Sequence, residues 1–418
     1  MEEKFILLIA IPTYKRCIDI DSLLKAISFV SAYINVKVVI FDSSKDNETK
    51  KVTNDYMRRF FSNLSYERLD ERIPSNEKVF LIYERYANTC EYLWILHDHT
   101  IFTQESFDYL INNLRLGYDF IYLYTQGNRY GLKEYDNRQS FAQKNAWFLG
   151  KMGASIVRTT TLIKDVNWEY YSKKYLTHRN INFSHVGFYL ERLCEKDFSI
   201  LEIEFPRSQF IDTRKYEKLS WEKEALRICT ECWGSVIMSL PQIYTDKKSI
   251  ISTIDWYFLN IYKLLLGRLQ GYYTIDDYKK YEKWIKLVFP NLIKDAYNIA
   301  TLPEDTLIEK YVKPFKDRLR DEINSGRDIY IYGAGKHGIE CLELMEIADI
   351  LPKGFIVSDM AGNPENIRGI KVYELGYVLC DNKPIFTIIA VMEELQKEII
   401  KLIKKEVDKG QDITWMKY

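Results

Sequence analysis

FILLIAIPTYKR, residues 5–16, is the stretch from which the fold is read. Phe5 to Ile11 is an unbroken apolar run with no alternation. A strand with water on one face would alternate, so this one is buried on both faces, as strands of a parallel sheet are. The run ends abruptly in Pro12-Thr13-Tyr14-Lys15-Arg16. Working outward, Leu23, Leu24, Ile27 and Val30 repeat at helical spacing across 20–34. VKVVIFD (36–42) is a second buried strand. A helix is expected from Asp46 to Phe61, with Ser44 or Asp46 as its N-cap. LSYERL (64–69), YLWIL (92–96) and FIYLY (120–124) continue the strands, with helical patterns at 76–88 and in ESFDYLINNLRL between them. Strand–helix alternation with apolar strands predicts an α/β domain with a mostly parallel sheet, covered on both faces.

Beyond residue 125 the pattern loosens. Residues 126–210 hold Gly127, Gly131, Gly150 and Gly153, and FSHVGFYLERLCEKDF (183–198) reads as a helix. Residues 215–325 are almost entirely helical by spacing, until Ser325-Gly326 interrupts. A second α/β unit then begins: DIYIYGAGKHGIECLELMEIA is strand, Gly-rich turn and helix, followed by strands at 354–359, 370–373 and 384–390, an amphipathic helix and the final strand DITWMKY. The expected organisation is 1–210, 211–326 and 327–418, which suits 418 residues, too many for one ordinary core.

Bulk properties exclude several classes. Lys plus Arg equals Asp plus Glu at 59 each, which argues against a dedicated nucleic-acid binder. The seven cysteines are odd in number and scattered, so no disulfide framework is expected and a reducing, cytoplasmic setting fits. Cys229 and Cys232 make one CxxC inside a helical pattern, with no second pair to complete a metal site. Two Glu precede the seven-residue apolar run at the N-terminus, the opposite of a signal peptide's basic start. No stretch approaches the ~20 apolar residues that span a bilayer. The helical middle suits self-association, or peripheral contact with the inner face of a membrane, equally well. The 32 tyrosines rise together with Lys, Ile and Asn, the mark of AT-rich codons, and carry little functional weight.

The chemistry gathers at strand ends. In open parallel sheets, ligands bind beyond the carboxyl ends of strands. The first strand ends in an aromatic and two cations, the second in Asp42-Ser43-Ser44, and the fourth in His97-Asp98-His99. Asp42 suits a base or ribose, and the His-Asp-His cluster offers ligands to a metal-bound diphosphate. Only five histidines occur, at 97, 99, 178, 185 and 337, so two in one motif carries some weight.

The order IPTYKR, VVIFDSS, YLWILHDH resembles family-2 GT-A glycosyltransferases over roughly residues 4–210. The resemblance implies a nucleoside-diphosphate-sugar donor, with UDP the expected nucleotide, and inverting transfer to a glycan, lipid-linked or protein-linked hydroxyl. Pro12, Thr13, Tyr14, Arg16, Asp42, Ser44, Asn76 and Lys78 would line the donor site. Asp98 and His99 fall on the D-x-D positions that hold a divalent ion, Mn²⁺ or Mg²⁺. The family usually has two or three carboxylates there. Imidazoles in their place favour Mn²⁺, and Lys78 or Arg16 would help balance the diphosphate. His185 stands where the family places its acidic catalytic base; a base on one side, and a structural hydrogen bond or a metal ligand on the other, are equally good readings of it. Trp147, Met152 and Gly153 resemble the acceptor loop.

Gly333-Ala334-Gly335-Lys336-His337-Gly338 follows a strand and opens a helix, with Asp359 at the end of the next strand, the ribose position of a dinucleotide fold. The unit is too short for two full mononucleotide halves. It resembles the small Rossmann-like domain in front of some bacterial sugar acetyltransferases, which implies a nucleotide-sugar ligand; a ligand-free packing or dimerisation module is the alternative. An NAD-dependent oxidoreductase or epimerase centred on this turn is a rival reading, weakened by the lack of a Tyr-x-x-x-Lys pair. A non-catalytic GT-A scaffold is a third.

Overall fold

The computed structural model describes residues 5–59, 61–69, 72–213, 221–255, 258–360, 363–380, 383–391 and 393–418. Parts of the expected helices at 46–61 and 215–325 lie outside these residues. The chain divides into two compact units. One comprises Met1–Arg214, Leu226–Asp255 and Lys283–Pro290; the other comprises Lys215–Ala225, Trp256–Glu282 and Asn291–Tyr418. The helical stretch 211–326 is therefore shared out between them.

The first unit is built on β1 (Phe5–Thr13), β2 (Val36–Asp42), β3 (Leu64–Arg68), β4 (Cys90–Ile95), β5 (Thr100–Phe102), β6 (Phe120–Gly127), β7 (Gly131–Tyr135), β8 (Ser155–Arg158), β9 (Ile200–Pro206) and β10 (Phe210–Asp212). Eight of these form one sheet in the order β3-β2-β1-β4-β8-β6-β9-β7, and β10 pairs with β5 in a separate two-stranded ribbon. β1, β2, β3 and β4 run parallel, as do β6 and β9, while β8 and β7 run against their neighbours. The sheet is thus mostly parallel, as its apolar strands require.

Burial on both faces is direct. Leu7, Ile9 and Ile11 share a core with Ile20, Leu23 and Leu24 of the helix Cys17–Ala26 and with Tyr92 and Trp94. The alternate residues Leu8 and Ala10 are equally buried, and the helix Ser75–Tyr86 packs on β1 and β4. Each such Leu or Ile contributes roughly 1.5–3 kcal/mol by leaving water. The region 126–210 proves more regular than its sequence suggests, since β7, β8 and β9 complete the sheet there. These strands are short, and β7 and β9 interleave Lys and Glu, so no long apolar run announces them. The helix expected over 183–198 spans Ser184–Arg192, and the chain then turns into β9.

The second unit carries β11 (Asp328–Tyr332), β12 (Gly354–Val357), β13 (Asn366–Ile367), β14 (Ile370–Glu374), β15 (Ile385–Ile389) and β16 (Ile413–Lys417). Their order is β13-β14-β12-β11-β15-β16, and all but β13 run parallel. The five parallel strands follow the doubly wound order 3-2-1-4-5, one strand short of two full halves. The CxxC pair lies in a helical segment, with both sulfurs buried and not joined in a disulfide. Among the described residues no helix is long and apolar enough to cross a membrane.

Candidate active site

Parallel register brings the tips of three strands together. Thr13 at the end of β1 lies opposite Asp42 at the end of β2, and Ala10 opposite Ile95 on β4. The residues beyond β4 therefore rise beside Thr13. Asp98, nearly fully buried, is held by both carboxylate oxygens: Oδ2 accepts from Thr13 Oγ1 at 2.8 Å, and Oδ1 from Arg16 Nη1 at 2.9 Å. Lys78, from the helix Ser75–Tyr86, donates its Nζ to the Thr13 carbonyl at 2.7 Å. Burial lowers its pKa to about 8, against the pull of Asp42 and Asp98. Lys15 adopts the left-handed conformation (φ 54°), which most residues avoid at a cost of about 1–2 kcal/mol. There its amide donates to Ser44 Oγ at 2.7 Å. Asp42 in turn accepts from the Ser44 amide at 2.8 Å and the Tyr66 hydroxyl at 2.9 Å. The loops at 12–16, 42–46 and 97–99 thus form one hydrogen-bonded cluster.

The other expected donor residues fall nearby. Pro12 is buried opposite Phe41, and Tyr14 is half-buried with the Arg72 guanidinium 4.8 Å over its ring. Asn76 is half-buried two positions before Lys78 on the same helix. Tyr66 and Arg72 are additions that the sequence reading did not single out.

His97, Asp98 and His99 each present one ligand atom, all within 4.8 Å of one another. Burial holds the His97 imidazole near pKa 3, so it is neutral, the form in which histidine binds metal. Its ring centre lies 4.6 Å from that of His99. The β5–β10 ribbon adds a residue absent from the sequence reading: Asp212 opposes Thr100, and its Oδ1 lies 3.6 Å from His99 Nε2. Two imidazoles with one or two carboxylates are a donor set that can hold a divalent metal ion.

His185 opens the helix Ser184–Arg192 and is buried. Its Nε2 lies 3.2 Å from the Gly150 carbonyl, and its Nδ1 is buried without a hydrogen-bond partner. Burial depresses its pKa to about 4, outweighing its hydrogen bonds to backbone. Gly187 on the same helix leaves room for the Tyr175 ring, since a Cβ there would lie 2.2 Å from it. Glu191 is tied up by Tyr170 (2.6 Å), Lys174 (2.6 Å) and Tyr175, away from His185. In the loop preceding β8, Trp147 is only 8% exposed, wedged between Phe183 and Trp233, while its neighbour Phe148 is exposed. Met152 is half-buried. Gly153, at φ +92°, offers its carbonyl to Trp94 Nε1 at 2.9 Å.

In the second unit the Gly-rich turn is built from backbone. Gly333 sits at φ +115°, where a Cβ would meet the Ala390 carbonyl oxygen at 2.5 Å; at Gly338 it would lie 1.9 Å from the Gly333 carbonyl oxygen. Around Gly335 there is open space, and the helix Lys336–Ile347 starts at the next residue. Asp359 is exposed just beyond β12.

No protein-family model matches the sequence, and no curated protein matches it. Solved structures do resemble the fold. Staphylococcus aureus TarS 1-349 in complex with UDP is 12% identical, covers 77% of this chain and 92% of its own, and superposes with a TM-score of 0.44. A mannosyltransferase from Pyrobaculum calidifontis, in complex with GDP-Man and Mn²⁺, is 13% identical over 72% of this chain and 86% of its own, at 0.39. Glucosyl-3-phosphoglycerate synthase from Mycobacterium tuberculosis, in complex with Mn²⁺, UDP and glucosyl-3-phosphoglycerate, is 10% identical over 56% of this chain and 80% of its own, at 0.36.

Proposed function

We propose that this chain is a glycosyltransferase that moves a sugar from a nucleoside-diphosphate sugar, with UDP the expected nucleotide, to an acceptor hydroxyl with inversion. The observation that carries the reading is the Asp98 cluster. A buried carboxylate, two imidazoles, a guanidinium and a lowered-pKa ammonium meet at the carboxyl edge of parallel strands. That set recognises a diphosphate and its metal, and the motif order IPTYKR, VVIFDSS, ILHDH supports it.

Residues 1–210 would be the catalytic part, 211–326 a helical part and 327–418 a Rossmann-like part. Pro12, Thr13, Tyr14, Asp42, Ser44 and Asn76 would line the nucleotide. Arg16 and Lys78 would hold the diphosphate oxygens and stabilise the charge that grows as the sugar departs. Asp98 and His99, with His97 beside them, would hold a divalent ion, which when bound draws negative charge off the leaving group. His185 would take the acceptor's proton at Nδ1 once the loop over it opens, since that nitrogen is sealed from solvent here. A pKa near 4 keeps it neutral and able to accept at physiological pH, as a weak base. The loop with Trp147, Met152 and Gly153 would meet the acceptor, with Phe148 its exposed ring. A surface glycan, a lipid-linked precursor or a glycoprotein would serve as acceptor, and a cytoplasmic enzyme, free or peripheral at the inner membrane face, fits the composition.

A second reading concerns Gly333, Gly335, Gly338 and Asp359. The positive φ of Gly333 and the crowding at Gly338 are what a dinucleotide-type turn demands, so this unit would take a nucleotide or nucleotide-sugar of its own. A thermal-shift panel of UDP-sugars, GDP-sugars and NAD, with and without Mn²⁺, tests both. A rise in Tm with a nucleotide-sugar, enlarged by Mn²⁺ and lost in Asp98→Ala, is expected. A rise with NAD alone would overturn the transferase reading.

A further inference from the structure

We propose that Arg16 is a built-in rival of the divalent ion for Asp98, so that nucleotide and metal each tighten the other's binding. The inference rests on the donor reading above. Asp98 is the central carboxylate of the His97–Asp98–His99 group, and neither of its oxygens is idle. Oδ2 takes the Thr13 hydroxyl at 2.8 Å, and Oδ1 takes Arg16 Nη1 at 2.9 Å. A small divalent ion on Oδ1 would sit about 2.1 Å from that oxygen. It would then lie within about 5 Å of a guanidinium nitrogen 2.9 Å from the same atom, both cations drawing on a carboxylate that is almost fully buried. Two cations do not share that oxygen comfortably, so one must move.

The partner that can move is identifiable. The side chain of Arg16 is 37% exposed and that of Asp98 only 3%. Thr13 is pinned from behind by Lys78 on its carbonyl, so the Thr13–Asp98 bond fixes the carboxylate's orientation. Arg16 is the contact that can release. A diphosphate offers it a better, two-pronged acceptor than half a carboxylate. When the nucleotide draws Arg16 away, Oδ1 is freed for the ion beside His99, whose Nδ1 already lies 3.5 Å from that oxygen. Without nucleotide, the guanidinium neutralises the buried carboxylate that the ion would otherwise claim.

The test measures Mn²⁺ binding to the full chain from the signal of the free ion, with and without UDP, in wild type, Arg16→Gln and Arg16→Met. Wild type should bind Mn²⁺ weakly alone and about tenfold more tightly with saturating UDP, within the usual range of such coupling. Both variants should bind Mn²⁺ alone about tenfold more tightly than wild type and show a smaller UDP effect, the remainder being the diphosphate's own hold on the ion. Equal or weaker Mn²⁺ binding in both variants overturns the proposal, as does a wild type whose Mn²⁺ affinity ignores bound UDP. Failure of UDP to bind wild type at all, while the variants still gain Mn²⁺ affinity, would sink the donor reading and leave the rivalry standing.

Discussion

The two sites proposed to hold phosphate are built from opposite materials. At the tips of β1, β2 and β4 the work falls to side chains: Thr13, Arg16, Lys78, Asp98 and His99 reach into a shared cluster of charges. At the turn after β11 it falls to backbone, with glycines at 333 and 338 removing the Cβ atoms that would collide with neighbouring carbonyls. The first kind of site is sensitive to chemistry and tolerant of shape; the second is the reverse. Substitutions should therefore fail in different ways in the two units.

The largest effect is expected from Asp98→Ala. It removes the acceptor shared by Thr13 and Arg16, and transfer should fall at least a thousandfold, about 4 kcal/mol, in an assay of sugar release. The fold should persist, because the cluster sits at the sheet's edge; a rate near wild type would strip the N-terminal site of its role. Next comes His185→Gln, read through acid stability. An unfolded histidine takes its proton near pH 6.5, whereas His185 in the fold resists until about 4. The unfolded state thus binds more protons, and stability drains away as pH falls from 6.5 towards 4, by about 3 kcal/mol from this residue. Urea unfolding at pH 7 and 4.5 should show a smaller drop in the variant, and identical drops would refute the buried neutral imidazole.

Gly338→Ala should cost the second unit about 3 kcal/mol, since its methyl would press on the Gly333 carbonyl oxygen, which belongs to the backbone and cannot swing aside. A calorimetric trace with one weakened transition would show it. The smallest effect on stability belongs to Gly335→Ala, within about 0.5 kcal/mol, because nothing surrounds that position. If the turn holds a nucleotide, this quiet substitution should still abolish binding there, by filling the space the phosphate needs. Unchanged binding would make the turn a packing device.

What could be read beforehand follows the same division. The apolar strands β1, β2 and β4 announce themselves because burial on both faces leaves no room for polar residues, and their polar endings mark the site. The glycine turn is legible because few sequences satisfy its backbone. β7 and β9 were hidden by their Lys and Glu positions, which imitate loop composition. Asp212 was invisible for a different reason. It reaches His99 through a three-residue strand paired across more than a hundred positions, and no local pattern encodes that meeting. The engagement of Trp147 with Phe183 and Trp233 was equally out of reach, since an aromatic in a loop looks the same whether it faces a sugar or a core.

The interleaved make-up of the two units has a consequence for how the protein is born. Residues 226–255 and 283–290 belong with the first unit, while 215–225 and 256–282 belong with the second. As the chain leaves the ribosome, the first unit lacks its closing pieces until residue 290 has emerged, and by then two segments of the second are already waiting for a sheet not yet synthesised. A cut before residue 211 would orphan part of the first unit, and a cut after residue 326 would orphan part of the second. The protein is accordingly expected to mature as a whole, and to resist being divided into separately expressible halves.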